Sequence, residues 1–289
     1  MGYAVSIDGL VGSPEDVTLK ITDNGFVFGD SAYETLRTYG GRPFELDRHL
    51  RRLRRSIGLL GFELGASDDE MKARIDACLS FAGNVESYLR VIVSRGVGDM
   101  SYRFERIEAP TIAMYVKPLE PNNETLYEKG GAAVIVSIRR NPVEALNPAI
   151  KASNLLNNAL ATREAFAKGA FEAILLNTRG EVAEGAGSNV FIVKDGLLLT
   201  PPLSCGLLPG ITRELVLEIA AGTHGGPALP HEERVLFPAD LHTADEMFIT
   251  STLKELAPMT TLDGAPIGSG TPGPVTRALL QAYRSRIGT

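Results

Sequence analysis

One segment of the chain, Lys117 to Gly131, is rich in Pro, Asn and Gly and has little apolar periodicity, whereas patterned sequence lies on both sides of it. Segments of this kind are typical of connections between domains. The chain has 289 residues, 44% of them hydrophobic, which is enough apolar material for two modest cores. We therefore expect a small N-terminal domain over residues 1–118, a linker over 119–131 and a larger C-terminal domain over 132–289.

The N-terminal part combines strand-like and helical patterns. Apolar and polar residues alternate, as in strands, over residues 3–8, 32–39, 88–94 and 111–116. Asp23-Asn24-Gly25 is a typical turn sequence. Asp47 is the expected cap of a helix in which Leu50, Leu53 and Ile57 recur at helical spacing, and a second helix is expected over 71–81.

The C-terminal part has the same mixed character. Strands are predicted over residues 132–138, 173–176, 190–193, 197–200 and 247–249, and helices over 155–167 and from 211 onward. The strands at 173–176, 190–193 and 197–200 are expected to form a meander. A mixed α/β (α+β) architecture with largely antiparallel sheets follows, rather than a series of βαβ units.

Composition excludes several classes of protein. The formal net charge is -6, which argues against a nucleic-acid partner or an anionic membrane surface. No apolar run is long enough to span a bilayer and the N-terminus does not resemble a signal peptide, so a cytoplasmic protein is expected. Cys78, Cys205 and the scattered His residues show no metal-ligand spacing, and no metal is expected.

Lys151 is the candidate catalytic residue. It follows the extended segment Asn147-Pro148-Ala149-Ile150 and precedes a helix that opens with small or polar side chains. A lone lysine is usually a solvated surface charge. An amine that forms a Schiff base must spend part of its time unprotonated, which partial burial and a nearby cationic ring would promote.

Three further segments follow Lys151. Glu184 lies in Ala183-Glu184-Gly185-Ala186-Gly187-Ser188-Asn189, where Gly residues allow close approach of the backbone and where Ser188 and Asn189 are candidate binding residues. Ile211 and Thr212 open a helix whose N–H groups would suit a phosphate, and Ser251-Thr252 could add hydroxyl donors. An amine, a carboxylate, a helix N-terminus and paired hydroxyls are what pyridoxal 5'-phosphate requires.

At these residues the chain resembles the class IV, fold-type IV pyridoxal-phosphate aminotransferases, which include branched-chain and D-amino-acid aminotransferases, (R)-amine transaminases and aminodeoxychorismate lyases. The resemblance extends from about Ile21 to Pro258 and is carried by Gly29-Asp30 with Tyr33-Glu34, His49-Leu50-Arg51-Arg52-Leu53, Lys151, Glu184-Gly185, Gly210-Ile211-Thr212-Arg213 and Ser251-Thr252.

The resemblance implies roles for these residues. Lys151 would carry the covalent link to pyridoxal 5'-phosphate, and Glu184 would pair with the pyridine nitrogen. The phosphate would be held by Arg52, Ile211, Thr212 and Thr252. The resemblance also implies two domains and a homodimer whose partner contributes a loop to each site.

The substrate is indicated by a smaller set of residues. Tyr88-Leu89-Arg90 resembles the branched-chain Tyr-x-Arg pattern, in which these residues and Tyr33 frame the substrate carboxylates. Leu156 and Leu253, the latter an expected substrate contact, depart from that pattern, which has a Tyr and a small residue there. The D-amino-acid enzymes share Lys-x-x-Asn-Leu-Leu, but their Arg-x-His trap would fall on Met100 and Tyr102.

The function that follows is transfer of an amino group from an aliphatic L-amino acid to 2-oxoglutarate, with two half-reactions in one site and therefore ping-pong kinetics. A D-amino-acid or (R)-amine transaminase, or mixed specificity, is the main alternative. An aminodeoxychorismate-type lyase would eliminate pyruvate without an acceptor, and a non-catalytic vitamer-binding protein would have no use for Lys151.

Overall fold

The computed structural model describes residues 2–103, 107, 109–121, 123–223 and 228–287. The chain divides into two compact units. Unit 1 comprises Met1–Pro121 and Ile150–Asn154, and unit 2 comprises Asn122–Ala149 and Leu155–Thr289. The division after Pro121 lies inside the segment predicted as a linker. The sequence did not indicate that five residues around Lys151 belong to unit 1.

Unit 1 is a six-stranded sheet with two long helices. Its elements in chain order are β1 (Ala4–Ile7), β2 (Leu10–Gly12), α1 (Asn24–Phe28), β3 (Ser31–Tyr39), β4 (Arg42–Pro43), α2 (Leu46–Leu59), α3 (Asp68–Ala82), β5 (Ser87–Ser94) and β6 (Thr111–Pro118). The strand order is β2-β1-β6-β5-β3-β4, and the pairings are antiparallel.

Helices α2 and α3 contribute to the core of unit 1. Leu50, Leu53 and Ile57 recur every three or four residues, so they share one face of α2 and are almost fully buried with Ile75 of α3. Each such burial stabilises the fold by about 1.5–3 kcal/mol. Burial alternates along β3 and β5, and the other face of the sheet is half-buried, with polar and aromatic side chains.

Unit 2 contains a nine-stranded sheet. Its elements are α4 (Glu124–Lys129), β7 (Gly131–Arg139), α5 (Leu156–Ala167), β8 (Glu172–Leu176), β9 (Val182–Gly185), β10 (Asn189–Lys194), β11 (Leu197–Thr200), α6 (Ile211–Ala220), β12 (His231–Glu233), α7 (Pro238–His242), β13 (Glu246–Ser251), β14 (Glu255–Leu262), β15 (Ala265–Pro266) and α8 (Pro274–Ile287). The order is β12-β11-β10-β13-β14-β7-β8-β9, with β15 beside β14. Parallel pairs among these described strands are β11–β12, β7–β14 and β7–β8, which confirms the predicted mixed, largely antiparallel architecture.

Three local predictions were wrong. Asp47 is not the cap of α2, because the helix begins at Leu46 after Glu45 in a left-handed conformation, and Asp47 instead pairs with Lys72. Asp23 does not form a simple turn, since its carboxylate accepts the Gly25 N–H and caps the short helix α1.

The third error is the first pairing of the predicted meander, between the strands at 173–176 and 190–193, whereas the pairing of 190–193 with 197–200 is confirmed. β8 pairs with β7 and β9, whereas β10 pairs with β11 and β13. Strand β13 comes from a distant part of the chain and takes the place beside β10, a long-range pairing that local turn sequences cannot reveal. Among the described residues, no helix combines the length and apolar character needed to cross a bilayer.

Candidate active site

Lys151 is held at the edge of β3 by backbone hydrogen bonds. The Tyr33 N–H donates to the Lys151 carbonyl at 2.9 Å, and the Ser153 N–H donates to the Ser31 carbonyl at the same distance. The Lys151 N–H donates to the Ser56 hydroxyl of α2 at 3.1 Å. These bonds form an isolated antiparallel bridge between Ala32 of β3 and Ala152. The backbone of Lys151 is therefore fixed although it belongs to no strand.

The half-buried face of the unit 1 sheet carries the residues expected to bind substrate. Arg90 lies opposite Thr35 in the β3–β5 register, and Tyr33 is its diagonal neighbour on the same face. The Arg90 guanidinium carbon lies 4.0 Å from the centroid of the Tyr33 ring, and the Lys151 Nζ lies 4.5 Å from it. Tyr88 lies further along β5, with the Lys117 ammonium 5.4 Å from its ring centroid.

Arg52 lies on the helix-covered side of the same sheet. Its guanidinium donates two hydrogen bonds to Glu34, at 2.8 and 2.7 Å, and the Glu34 side chain is 1% exposed. Burial alone would raise the pKa of Glu34, but Arg52 and His49 outweigh burial and lower that pKa to about 2. The buried carboxylate therefore orients Arg52, the residue expected to hold the phosphate.

His49 is the third member of this buried group. Its Nδ1 lies 2.7 Å from Glu34, while its buried Nε2 has no hydrogen-bond partner among the described residues. Burial lowers the pKa of His49, opposed by Glu34 and reinforced by the charges of Arg52 and Lys151. Because the Glu34 carboxylate accepts hydrogen bonds, Nδ1 is the ring nitrogen that donates to it.

In unit 2, Glu184 forms a buried ion pair. The Arg140 Nε donates to Glu184 Oε1 at 2.6 Å, and the two side chains are 10% and 6% exposed. The other carboxylate oxygen accepts the Leu208 N–H at 3.0 Å. The Asn157 amide oxygen, 3.1 Å from Arg140 Nη1, completes the hold on the guanidinium. Glu184 is thus an oriented carboxylate and not a solvated turn residue.

The turn after Glu184 is fixed by a second buried carboxylate. Glu172 accepts the Ser188 hydroxyl at 3.1 Å and pairs with Lys254 at 2.8 Å. The Asn189 amide donates to the Leu208 carbonyl at 2.9 Å. A Cβ at Gly185 would overlap the Ser188 hydroxyl, so a larger residue here would displace the Ser188 side chain from Glu172. Ser188 and Asn189 therefore hold the turn that directly follows Glu184 and its strand, β9.

The N-terminus of α6 has no side-chain cap on its first N–H groups, which is the feature that an anion site at a helix N-terminus needs. Gly210 is its N-cap and supplies no side-chain hydrogen bond, and Ile211 and Thr212 form the first turn of a ten-residue helix. The buried Arg213 anchors that turn to the Pro201 carbonyl at 3.0 Å. Because the N-cap supplies no acceptor, the first N–H groups and the helix dipole suit a phosphate.

The turn that follows β13 carries the remaining predicted binding residues. Ser251 ends the strand, and its hydroxyl accepts the Lys254 N–H at 3.1 Å. Thr252 and Leu253 are part-exposed in the turn. The neighbouring Thr250 hydroxyl is buried without a hydrogen-bond partner in the part of the chain that the structure describes. This turn belongs to the same unit as α6, which packs against β13.

Sequence reasoning missed three charged residues of these clusters: Arg140, Glu172 and Lys254. For Arg140 the sequence offered only the pair Arg139-Arg140 at the end of a predicted strand. A charged residue in such a position is ordinarily solvated. Within the ranges the structure describes, no cluster of three or more His, Cys, Asp or Glu is arranged to hold a metal ion.

Comparison with known proteins identifies what these clusters belong to. The family described as Amino-transferase class IV matches residues 31–262. The chain is 36% identical over 280 residues to a Methanocaldococcus jannaschii protein provisionally named a branched-chain-amino-acid aminotransferase, covering 97% of this chain and 95% of that protein. It is 33% identical over 284 residues to the D-alanine aminotransferase of Bacillus licheniformis, covering 98% and 96%.

Solved structures agree with the sequence relatives. The branched-chain amino acid aminotransferase from Thermobaculum terrenum, in its pyridoxal-phosphate holo-form, superimposes with a TM-score of 0.86 at 29% identity, covering 98% of this chain and 93% of that one. The Escherichia coli branched-chain amino acid aminotransferase gives a TM-score of 0.91 at 29% identity, covering 99% of this chain and 94% of that one.

Proposed function

Since the chain belongs to the class IV aminotransferases, which depend on pyridoxal 5'-phosphate, we propose that it transfers the amino group of an aliphatic L-amino acid to 2-oxoglutarate by a ping-pong mechanism. The environment of Arg90 is the observation that supports a substrate with a carboxylate. Its guanidinium lies on the half-buried sheet face within 4.0 Å of the Tyr33 ring centroid, and its buried Nε has no hydrogen-bond partner among the described residues. A guanidinium with an unsatisfied donor is suited to bind a carboxylate.

The residues present fit the cofactor. Unit 1, taken by itself, contains the Lys151 amine and the oriented Arg52 guanidinium. Unit 2, taken by itself, contains the buried Glu184 carboxylate and an α6 N-terminus with no side-chain cap. A Cβ at Gly210 would overlap the Asn189 amide, which shows how closely this loop is packed. When bound, pyridoxal phosphate supplies a ring that withdraws electrons from the substrate Cα.

The remaining chemistry is assigned to the chain itself. Lys151 provides the amine that takes the proton from the substrate Cα as a general base and then, as a general acid, would deliver it to C4' of the cofactor, so that the amino group stays behind when the 2-oxo acid leaves. Glu184 would pair with the pyridine nitrogen and favour its protonated form, and Arg140 holds the Glu184 carboxylate in place. The phosphate is assigned to Arg52 and to the first turn of α6, Ile211 and Thr212.

The turn after β13 completes this assignment. Thr252, with Ser251 beside it, adds hydroxyl donors for the phosphate. Tyr88 of unit 1 and Leu253 of unit 2 are each assigned to contact with the substrate. Ser188 and Asn189 act through the turn that they hold in place.

A D-amino acid is the second candidate donor, because relatives of both specificities cover nearly the whole chain. The residues at the expected D-enzyme carboxylate trap argue against it. Met100 and Tyr102 carry no charge and are 60% and 78% exposed. Arg90 is therefore the better assigned receptor for the substrate carboxylate.

A donor screen tests the proposal. Glutamate formation from 2-oxoglutarate is measured with leucine, isoleucine and valine, with D-alanine, and with a simple (R)-amine, whereas D-glutamate is tested by alanine formation from pyruvate. We expect the aliphatic L-amino acids to be fastest. A faster reaction with either D-amino acid would refute the L-specific proposal, and release of pyruvate from aminodeoxychorismate without acceptor would identify a lyase.

The role of Arg90 is tested separately with Arg90→Met. Loss of one charged partner should lower kcat/KM for carboxylate-bearing donors by on the order of tenfold to a hundredfold, since a charge-assisted hydrogen bond contributes about 1.5–3 kcal/mol. The matched control is Arg42→Met, which removes an exposed arginine of β4 in the same unit. Equal effects of the two substitutions would remove Arg90 from the substrate site.

We also propose that the enzyme is a homodimer. Several large apolar side chains of unit 1, Leu19, Ile21 and Phe26, are 45%, 70% and 64% exposed. An interface between two copies would remove such surface from water. Light scattering during gel filtration should give twice the mass of the chain, and a monomer mass would contradict the proposal.

A further inference from the structure

Two cations lie over one aromatic ring in unit 1. The Arg90 guanidinium carbon is 4.0 Å and the Lys151 Nζ 4.5 Å from the centroid of Tyr33. The first of these cations is the proposed receptor for the substrate carboxylate, and the second is the proposed reactive amine. An aromatic ring attracts a cation within about 6 Å of its centroid through its quadrupole.

Backbone hydrogen bonds bring the three groups together. Tyr33 donates its own N–H to the Lys151 carbonyl at 2.9 Å. Thr35, two residues along β3, is the register partner of Arg90. The ring therefore projects from a stretch of β3 that is bonded on one side to the segment of Lys151 and on the other to the strand of Arg90.

The charged groups near Lys151 do not offer its ammonium a partner, so the Tyr33 ring is the group that can hold it. Burial lowers the pKa of His49, which disfavours a positive charge on its ring. Glu34 and Arg52 neutralise each other in a buried pair. Among the described residues, no carboxylate pairs with Lys151 or Arg90, and the two like charges repel each other across the ring.

We propose that Tyr33 is a positioning residue that acts through its ring face: it holds Arg90 for the substrate carboxylate, seats the Lys151 ammonium, and so couples carboxylate binding to the amine. The inference rests on the proposed function, since it uses its assignments of Lys151 and Arg90. A carboxylate bound to Arg90 neutralises its charge, removes the repulsion between Arg90 and Lys151, and so strengthens the attraction of the Lys151 ammonium to the Tyr33 ring. A ring with less electron density on its face attracts both cations more weakly.

The experiment changes the electron density of the ring without changing its size. Position 33 is occupied in turn by Tyr, by Phe and by 3,4,5-trifluorophenylalanine, because fluorine withdraws density from the ring face. Tyr33→Leu removes the ring altogether. The matched control is Tyr115→Leu, since Tyr115 lies opposite Arg90 on β6 and contacts the ring of Tyr3.

Two measurements are made on the cofactor-free protein. The rate at which trinitrobenzenesulfonate modifies Lys151 is followed by peptide mass spectrometry, with the exposed Lys20 as an internal reference. The affinity for valerate is measured by calorimetry. Labelling is repeated with saturating valerate and with pentanamide, which has the same shape but no charge.

Phe at position 33 is the reference for the fluorinated ring, because both side chains lack the Tyr33 hydroxyl and differ only in the electron density of the ring face. Trifluorophenylalanine should accelerate Lys151 labelling and weaken valerate binding by about threefold to tenfold each. Valerate, and not pentanamide, should slow labelling when position 33 is Tyr or Phe, and this protection should be lost with the fluorinated ring. Tyr33→Leu should show the same changes as the fluorinated ring or larger ones, whereas Tyr115→Leu should change none of these quantities by more than about twofold.

Equal rates and affinities for Phe and trifluorophenylalanine would overturn the inference, because the fluorinated side chain keeps the shape and loses the quadrupole. Failure of the proposed function is recognised independently. Borohydride reduction of the wild type with pyridoxal 5'-phosphate should leave a stable adduct on Lys151. An adduct on another lysine, or none, would remove the assignment of Lys151 on which both proposals rest.

Discussion

The buried pair of Arg140 and Glu184 allows a quantitative test of whether unit 2 carries Glu184 as a charged, oriented group. Arg140→Met removes the guanidinium and leaves a carboxylate that is only 6% exposed. Breaking a buried pair in this way costs about 3–5 kcal/mol, because the remaining charge is neither solvated nor paired. Glu184 keeps the Leu208 N–H, so the lower end, about 3 kcal/mol, is expected.

The assay is thermal and urea unfolding of the cofactor-free protein. A loss of about 3 kcal/mol should lower the Tm by roughly 6–12 °C for a unit of this size. The control is Arg179→Met in the same unit, which breaks an arginine–glutamate pair whose arginine is 60% exposed and should change the Tm little.

A double variant separates charge from packing. In Arg140→Met with Glu184→Gln the buried charge is absent, so at least about 1 kcal/mol of the loss should be recovered relative to Arg140→Met alone. The reasoning is refuted if Arg140→Met lowers the free energy of unfolding no more than Arg179→Met does. It is also refuted if adding Glu184→Gln to Arg140→Met restores none of the lost free energy.

Three other predictions concern the proposed site and its support. Glu184→Gln should retain the cofactor yet lower kcat by about a hundredfold or more, since stabilisation of the ring charge is worth several kcal/mol; unchanged kcat would exclude the role. Arg52→Ala should weaken cofactor affinity more than kcat at saturating cofactor, whereas Arg51→Ala, on the exposed side of α2, should change neither. The pKa of Glu34 is lowered from 4.5 to about 2, so its stabilisation is complete above pH 4.5 and is lost as the pH falls toward 2. In urea unfolding the difference between wild type and Glu34→Gln should therefore shrink from about pH 6 to about pH 3, and a constant difference would contradict the shift.

Much of the fold and part of the proposed site could be predicted from local sequence. Periodicity located most helices and strands, because which face is apolar depends on residues three or four apart, or two apart, in the chain. The Gly-rich turn between β9 and β10 and the helix start at Ile211 were recognisable because turn chemistry and helix termini are local. The order of these motifs sufficed to recognise the family that the comparisons confirmed.

Tertiary structure decided which side chains meet. Arg140 reaches Glu184 across 44 residues of sequence, and no local pattern distinguishes it from Arg139 beside it. Lys151 and Arg90 share the Tyr33 ring because β3 is bonded to both of their segments. The reason is physical: strand register and the pairing of distant strands fix these contacts, and they depend on the free energy of the whole sheet rather than on any one segment.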